Sequence, residues 1–328
     1  MEDGTEATCR QSMEPADSSE SRTIWQQIQK NRLLLSGGGI VGALMLLALT
    51  APLLTQWNIL DDPMEQFPQG LDRYGLPLAP GSVHSLGTDS LGRDMLSRVV
   101  HGTRISLTVG IIAMLTALCI GVTIGVIAGY FGTWVNTVLM RGTDVMMTIP
   151  GLLLAIAFAS LMDGRQVHLH PSWTDWHELD LTLERGILSV LLVIGIVSWT
   201  WIARVVRSQV ISVKEREFVE ASRAMGCRHR RIIVRHIAPN ILPTVIIVAT
   251  LSTAGTILLD AGLSYLGVGV PPPAPSWGTM IADGQPYFVV APHLTVIPGF
   301  AIILTVVGFN LLGQGLQDVL DPYEKGRR

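Results

Sequence analysis

Uncharged apolar stretches recur along the chain at lengths that suit membrane-spanning helices. A helix needs about 20 apolar residues to cross roughly 30 Å of hydrocarbon, whereas a barrel strand needs only about 10. Each stretch here has between 17 and 26 residues. The pattern therefore predicts an all-α integral membrane protein with about six transmembrane helices, over residues 33–54, 105–130, 145–162, 187–203, 241–259 and 294–312.

The segments that join these stretches differ in charge. Residues 204–236 carry nine basic and three acidic side chains, whereas 57–101 carry six acidic and three basic ones, and 163–185 carry five acidic and two basic ones. Cytoplasmic loops of membrane proteins are enriched in Lys and Arg. We therefore expect the 204–236 segment to be cytoplasmic, and six crossings then place the N- and C-termini in the cytoplasm as well.

These two patterns together predict the organisation of the whole chain. The first residues of the sequence are polar and have little apolar surface to bury, so residues 1–21 are expected to be disordered. Residues 24–28 are expected to form an interfacial helix. The remaining expectations are a cytoplasmic tail over 1–32, a first transmembrane helix over 33–56, an external segment over 57–103, a transmembrane core over 104–316 with a cytoplasmic loop at 204–240, and a second cytoplasmic tail over 317–328.

Composition excludes several classes of protein. Charged residues make up 15% of the chain, against about 25% in soluble domains, and a net charge of −3 gives no basic field for nucleic acid. The sequence contains no G-x-x-x-x-G-K-[ST] loop, no H-E-x-x-H and no G-x-S-x-G. We therefore predict that the chain is not an enzyme and holds no cofactor.

The basic 204–240 loop contains signals of a short helix. Ser212 and Glu215 have the spacing of a capping box, and good helix formers follow as far as Gly226, which can adopt the positive φ that ends a helix. A helix outside the bilayer that exposes small residues can dock into a groove of another protein. A solvated loop that only fixes topology explains the same charges, and the pattern alone leaves both interpretations open.

The stretch EFVEASRAMGCRHRRIIVRHIAPN, residues 217–240, resembles the EAA loop of ABC importer permeases. The residues on the family pattern are Glu220, Ala221, Ser222, Gly226 and Pro239, while His236 and Ala238 depart from it. In that family the loop forms a coupling helix that sits in a cleft of the ATP-binding subunit. The resemblance implies that ATP-driven closure of that subunit moves the 212–226 helix as a lever and tilts the spans.

Three further stretches, 84–107, 260–284 and 308–322, resemble the dipeptide, oligopeptide and nickel permeases, and the C-type subunit most. The resemblance implies the type I ABC importer permease fold in the inner membrane of a bacterium or archaeon. It also implies a related B-type permease subunit, two ATP-binding subunits that hold ATP and magnesium, and an external substrate-binding protein. Small peptides are the expected substrates; the alternatives are nickel or another peptide-like solute and, more remotely, ion-coupled secondary transport.

Several residues within the spans have more than one interpretation. Gly121, Gly125 and Gly129 recur every four residues, which favours close helix packing over a pore-lining role. Pro150 and Pro298 can kink the third and sixth spans, which would free carbonyl groups toward a cavity or a partner helix.

Charged residues at span edges are costly and therefore suggest function. Arg141 and Asp144, three residues apart, are candidates for a polar pair on one helix face, and Asp260 ends the fifth span. Structural pairing and a part in a gate both stay open for these three. The histidines and acids of the 163–184 loop show no diagnostic ligand spacing, so we predict no metal site there.

Overall fold

The computed structural model of the protein describes residues 28–81, 83–162 and 185–320, and this part of the chain is mostly helical. The predicted N-terminal disorder, the histidine-containing loop and the predicted interfacial helix at 24–28, apart from its last residue, lie outside the described residues. The α-helices within it are α1 (Arg32–Gln56), α2 (Met95–Phe131), α3 (Thr133–Thr148), α4 (Gly151–Met162), α5 (Arg185–Lys214), α6 (Glu217–Ala224), α7 (His229–Ile232), α8 (Ala238–Tyr265), α9 (Trp277–Gly284) and α10 (His293–Leu320). A π-helical turn, Ile233–Ile237, joins α7 to α8, and a short 3-10 turn follows α9.

Five helical runs in this part of the chain are long and apolar enough to cross a membrane. They are α1, α2, most of α5, the continuous run His229–Tyr265 and α10. The pair α3 and α4 counts as a sixth span only if the two are taken together. The prediction of an all-α membrane protein with about six spans is therefore confirmed.

The third predicted span, over 145–162, is sharply bent at Pro150, a residue that the sequence analysis identified as able to kink it. The helix α3 ends at Thr148, α4 begins at Gly151, and the two helices meet at 90°. Proline disfavours the helical conformation of the residue before it, and Ile149 adopts an extended backbone, with φ −90° and ψ 126°. Pro150 thus divides the apolar run into two helices.

The contact between α2 and α5 depends on three glycines, as their spacing predicted. A Cβ atom on Gly125 would lie 2.7 Å from the Ala203 carbonyl oxygen, and one on Gly121 would lie 2.8 Å from that of Trp199. A stripe of small residues lets two helix backbones approach closely. The side chains that fill the space over the three glycines are Ile202, Val206 and Val210 of α5.

The first helix is tightly joined to the last one. A Cβ atom on Gly37 would lie 2.3 Å from the Leu312 backbone nitrogen, and one on Gly315 would lie 2.4 Å from that of Leu34. The Asn31 side chain caps α1 and also donates to an Asp318 oxygen at 3.1 Å. The helix α1 is therefore packed backbone to backbone against α10.

The bundle has two ends that carry different features. One end, here called the α6 end, holds α6, α7, the last turns of α2, α5 and α10, and the start of α8. It is closed by contacts such as the one from Tyr130 Oη to His229 Nδ1, at 2.7 Å. The opposite end holds residues 57–94 and α9, and His101 near the start of α2 contacts Thr55 there at 2.9 Å.

The glycine stripe on α2 gives a direct test of this packing. We expect Gly125→Ala to lower the melting temperature of the purified protein by several degrees, because its methyl group would overlap the α5 backbone at a cost of about 1–3 kcal/mol. The matched control is Gly255→Ala, since a Cβ atom there meets nothing within 4 Å. Equal melting temperatures for the two variants, measured in detergent, would contradict the close contact.

Candidate coupling surface and cavity

The helix α6 is a separate eight-residue element, and its start differs from the prediction. Ser212 lies inside α5, which continues to Lys214, so the predicted capping box at Ser212 and Glu215 is wrong. The apolar helix α5 continues through this stretch, so no new helix start forms there. The helix α6 begins at Glu217 after Arg216, whose side chain makes no capping hydrogen bond.

The end of α6 follows the prediction. Gly226 has a φ of +74°, a conformation that glycine adopts without steric cost. Its N–H donates to the Arg223 carbonyl at 2.9 Å, and the N–H of Cys227 donates to the Ser222 carbonyl at 3.2 Å. These two bonds form a Schellman motif, which satisfies carbonyl groups left free at the end of the helix.

One face of α6 is anchored in the bundle and the other is exposed. Val219 is fully buried and belongs to the same apolar cluster as Val213 of α5, Ile232 of α7 and Ile241 of α8. Ser222 is also buried, and its hydroxyl donates to the Phe218 carbonyl at 2.8 Å. The exposed positions are Glu217, Phe218, Glu220, Ala221, Arg223 and Ala224.

The last turn of α2 provides a second attachment for α6. Tyr130 is buried, its hydroxyl contacts His229 of α7, and the Arg223 guanidinium lies over its ring at 5.3 Å from the centroid. A cation over an aromatic face is attracted by the ring quadrupole. Tyr130 thus ties α6 and α7 to the end of α2, a role that the sequence analysis missed because nothing local distinguishes this tyrosine from an interfacial one.

The five residues predicted for coupling occupy two distinct places. Glu220 and Ala221 lie on the exposed face of α6, Ser222 faces inward, and Gly226 ends the helix. Pro239 lies elsewhere, in the first turn of α8, where it lines a cavity. The structure therefore brings four of the five together and assigns the fifth to the wall of that cavity.

A half-open cavity of about 1080 Å³ lies at the α6 end, between α5, α8 and α10. Its wall consists of α5 from Trp201 to Val213, Arg216 just before α6, α8 from Pro239 to Ser252, and the last turns of α10. Small-molecule pockets typically measure about 300–1,000 Å³. The cavity is therefore large enough for a small solute and ends beside both boundaries of the coupling segment.

The predicted pair of Arg141 and Asp144 does not form. Asp144 of α3 is instead paired with Arg204 of α5, and Arg207 donates to the Asn136 amide oxygen. Asp144 thus pairs with an arginine of the neighbouring helix rather than with Arg141 on its own helix. These two contacts hold α3 against α5.

Asp260 is buried in α8, with 1% of its surface exposed. Among the described residues, no group hydrogen-bonds to its Oδ1 atom. A part for Arg141, Asp144 or Asp260 in a gate stays a prediction.

The opposite end carries a buried polar cluster that the sequence analysis did not identify. Asp89 accepts from Arg93 at 2.7 Å and lies 3.2 Å from Arg98. Asp283 of α9 lies at the exposed rim of this cluster, where partial desolvation raises the pKa of its carboxyl and the guanidinium groups of Arg98 and Arg93 oppose that rise. The sequence signal that could have revealed this cluster is the concentration of acidic residues and arginines just before the second predicted span.

A second group at this end, Asp61, His84 and Asp94, places three potential metal-ligand atoms within 4.8 Å of one another. His84 Nδ1 contacts an Asp94 oxygen at 3.0 Å, and the other Asp94 oxygen accepts from the Ser97 N–H at the start of α2. Asp94 thus caps α2, and these contacts account for the positions of His84 and Asp94 without an ion.

The chain is similar to known membrane transport proteins over most of its length. Residues 121–325 match the model of the family described as binding-protein-dependent transport system inner membrane component. The chain is 38% identical to the dipeptide transport system permease protein DppC of Alkalihalophilus pseudofirmus, covering 93% of this chain and 90% of that one. It is 35% identical to the glutathione transport system permease protein GsiD of Pectobacterium atrosepticum, covering 92% of each.

A solved structure supports the fold. The chain is similar to one in an inward-facing structure of the MetNI methionine ABC transporter, with a TM-score of 0.52 and 18% identity. The match covers 69% of this chain and 98% of that one. The fold is thus that of a type I importer permease.

The anchoring of α6 can be tested by amide hydrogen exchange. We expect Val219→Ser to speed exchange in α6 by about tenfold or more, because replacing a buried apolar side chain with a smaller polar one costs about 1–3 kcal/mol. The neighbouring exposed position gives the control Ala221→Ser, which should exchange like the unaltered protein. Unchanged protection in Val219→Ser would show that burial of this side chain does not hold α6.

Proposed function

Because the chain belongs to the family of binding-protein-dependent transport system inner membrane components and is a permease subunit of an ABC importer, we propose that it carries short peptides inward across the cytoplasmic membrane of a bacterium or archaeon. The observation that supports its mechanical role is α6, which is anchored by one face and exposes the other. Support for peptides comes from relatives named as dipeptide and glutathione permeases.

The exposed face of α6 is the surface that an ATP-binding subunit contacts in this proposal. Phe218 and Met225 expose 38% and 55% of their surface there, beside the acidic Glu217 and Glu220. An amphipathic helix binds a groove through such exposed apolar side chains. The chain itself has no phosphate-binding loop, so ATP and magnesium belong to the partner subunits.

The buried face of α6 is the route by which motion reaches the spans. Val219 belongs to an apolar cluster that includes residues of α5, α7 and α8, and Tyr130 links α6 to α2. A push on α6 is therefore transmitted to the ends of three long helices at once. Packed helices of this kind shift between discrete arrangements rather than bending continuously, which suits alternation between outward- and inward-facing states.

The remaining partners follow from the two ends of the bundle. The α6 end carries the basic segment and is therefore taken as cytoplasmic. The opposite end, with the segment 57–94, then faces outward and receives a substrate-binding protein. The cavity is open on one side, where a related permease subunit of the B type would complete the passage.

The alternative substrates receive less support than peptides. No relative named above is a nickel permease; the named relatives carry a dipeptide or glutathione label. Ion-coupled secondary transport conflicts with membership of a family whose members work with binding proteins.

The peptide assignment is tested by uptake of radiolabelled dialanine in cells of the source organism. Deletion of this chain alone is expected to abolish ATP-dependent uptake, and expression of the chain from a plasmid is expected to restore it. The same cells should take up labelled free alanine normally, since free amino acids use other carriers. Undiminished dialanine uptake in the deletion strain would overturn the peptide assignment.

The coupling role is tested by changing the turn that ends α6. We expect Gly226→Val to leave the complex assembled but to separate ATP hydrolysis from uptake, because a β-branched residue is strained at a φ of +74°. Gly255→Val is the matched control, since this glycine also meets nothing within 4 Å but is helical. Glu220→Lys, which reverses a charge on the exposed face, is expected to act like Gly226→Val.

Both quantities are measured on the whole complex in lipid vesicles, as phosphate released and labelled peptide accumulated. Normal uptake per ATP hydrolysed in both Gly226→Val and Glu220→Lys would contradict the coupling assignment.

A further inference from the structure

The cavity at the α6 end touches both boundaries of the coupling segment. Arg216, which lies immediately before α6, and Pro239, which lies after the π-helical turn, both line it. We propose that this cavity is a binding site for the carboxylate of a peptide on the α6 side of the bundle, and that its occupancy restrains α6. This inference rests on the proposed function, because it assigns a ligand to the inner side of the same importer.

The chemistry of the cavity wall favours an anion. Arg216 is the one charged residue among those that line it, so no carboxylate of the wall competes for the guanidinium. The polar groups that accompany it are the side chains of Gln209, Asn240, Thr244, Ser252 and Gln317. A guanidinium group binds a carboxylate through two parallel hydrogen bonds. The amide and hydroxyl side chains of the wall can then hydrogen-bond to the peptide groups of the ligand.

The Arg216 side chain is free to take part in such a contact. It is exposed, and among the described residues no group forms a hydrogen bond or an ion pair with its guanidinium. Two arginines of α5 are already engaged, since Arg204 pairs with Asp144 and Arg207 with Asn136. The cavity thus has one available cation, and it lies where the cavity meets α6.

Binding at this place must act on α6. The Arg216 carbonyl accepts from the N–H groups of Val219 and Glu220, at 2.9 and 3.2 Å, so its backbone is the start of the helix. A ligand held between Arg216 and the α8 wall stabilises the arrangement in which the cavity is open. Linkage then requires that the ligand oppose any movement of α6 and its spans that closes the open side of the cavity against the paired permease, so a peptide accumulated on this side would slow ATP hydrolysis.

Occupancy is measured by protection of a single cysteine in the cavity wall. The complete importer, with Val205→Cys at an apolar position of the cavity wall in this chain and its native cysteines replaced by serine, is placed in nanodiscs without the binding protein. Dialanine is expected to slow maleimide labelling of that cysteine in a saturable way. Dialanine amide, which lacks the carboxylate, is expected to require an about tenfold higher concentration, because charge-assisted bonds contribute most of such an affinity.

In the same background, Arg216→Gln is expected to raise the concentration of dialanine that gives half-maximal protection by about tenfold. Dialanine and dialanine amide should then protect the cysteine at similar concentrations. The control is Arg32→Gln, which removes an exposed arginine at the same end of the bundle but outside the cavity wall. It should behave as the unaltered complex. Dialanine should also lower ATP hydrolysis with the same concentration dependence as protection, and Arg216→Gln should shift both curves equally.

The outcomes separate this inference from the proposed function. Equal protection by dialanine and its amide, or protection that Arg216→Gln leaves unchanged, would overturn the carboxylate site. So would the absence of protection in a complex that still imports dialanine with its binding protein. Protection without any effect on ATP hydrolysis would overturn the restraint of α6. Failure of the complex to import dialanine would instead count against the peptide assignment.

Discussion

The close contact of α2 with α5 is the constraint on which the rest of the bundle depends. Lipid chains are as apolar as leucine, so helices in a membrane associate mainly through van der Waals packing and hydrogen bonds. Gly121, Gly125 and Gly129 supply that packing by letting the α5 backbone approach. The last turns of both helices are thereby held side by side, and Val213 and Tyr130 are placed where they bind α6.

A short helix outside the bilayer is not stable alone, because an isolated helix of fewer than about 12 residues gains too little from its few hydrogen bonds. The helix α6 has eight residues and gains stability from Val219, Ser222 and the Tyr130 ring instead. The same contacts that stabilise it therefore transmit its movement. The cavity adds a second link, since Arg216 belongs both to the cavity wall and to the start of α6.

The features read correctly from the sequence are those that depend on local chemistry. The presence of the apolar spans, the glycine stripe and the Gly226 stop each follow from a few neighbouring residues, and each is confirmed. The start of α6 was misplaced because the capping signal at Ser212 lies within a helix that continues to Lys214. A propensity signal of this kind is overridden when the flanking residues extend an existing helix.

Features that depend on distant residues were beyond the reach of sequence reasoning. Asp144 has a neighbouring arginine on its own helix, yet it pairs with Arg204, which is 60 positions away. The Tyr130–His229 contact joins residues 99 positions apart, and the buried cluster around Asp89 depends on how a loop folds back on α2. The cavity likewise exists only where three helices converge, so none of its lining could be assigned from one sequence.

The claim that α6 moves as one body with the spans is tested most directly by a distance within this chain. Spin labels are attached at two exposed positions, Ala221→Cys on α6 and Leu258→Cys on α8, in the complete importer with its native cysteines replaced. Double electron–electron resonance then measures the distance between the two labels. The account predicts the same distance distribution without nucleotide and with ATP trapped on the partner subunits, while the distance from α6 to the paired permease changes. A nucleotide-dependent shift between these two labels would show that α6 moves independently of its bundle and would contradict the account.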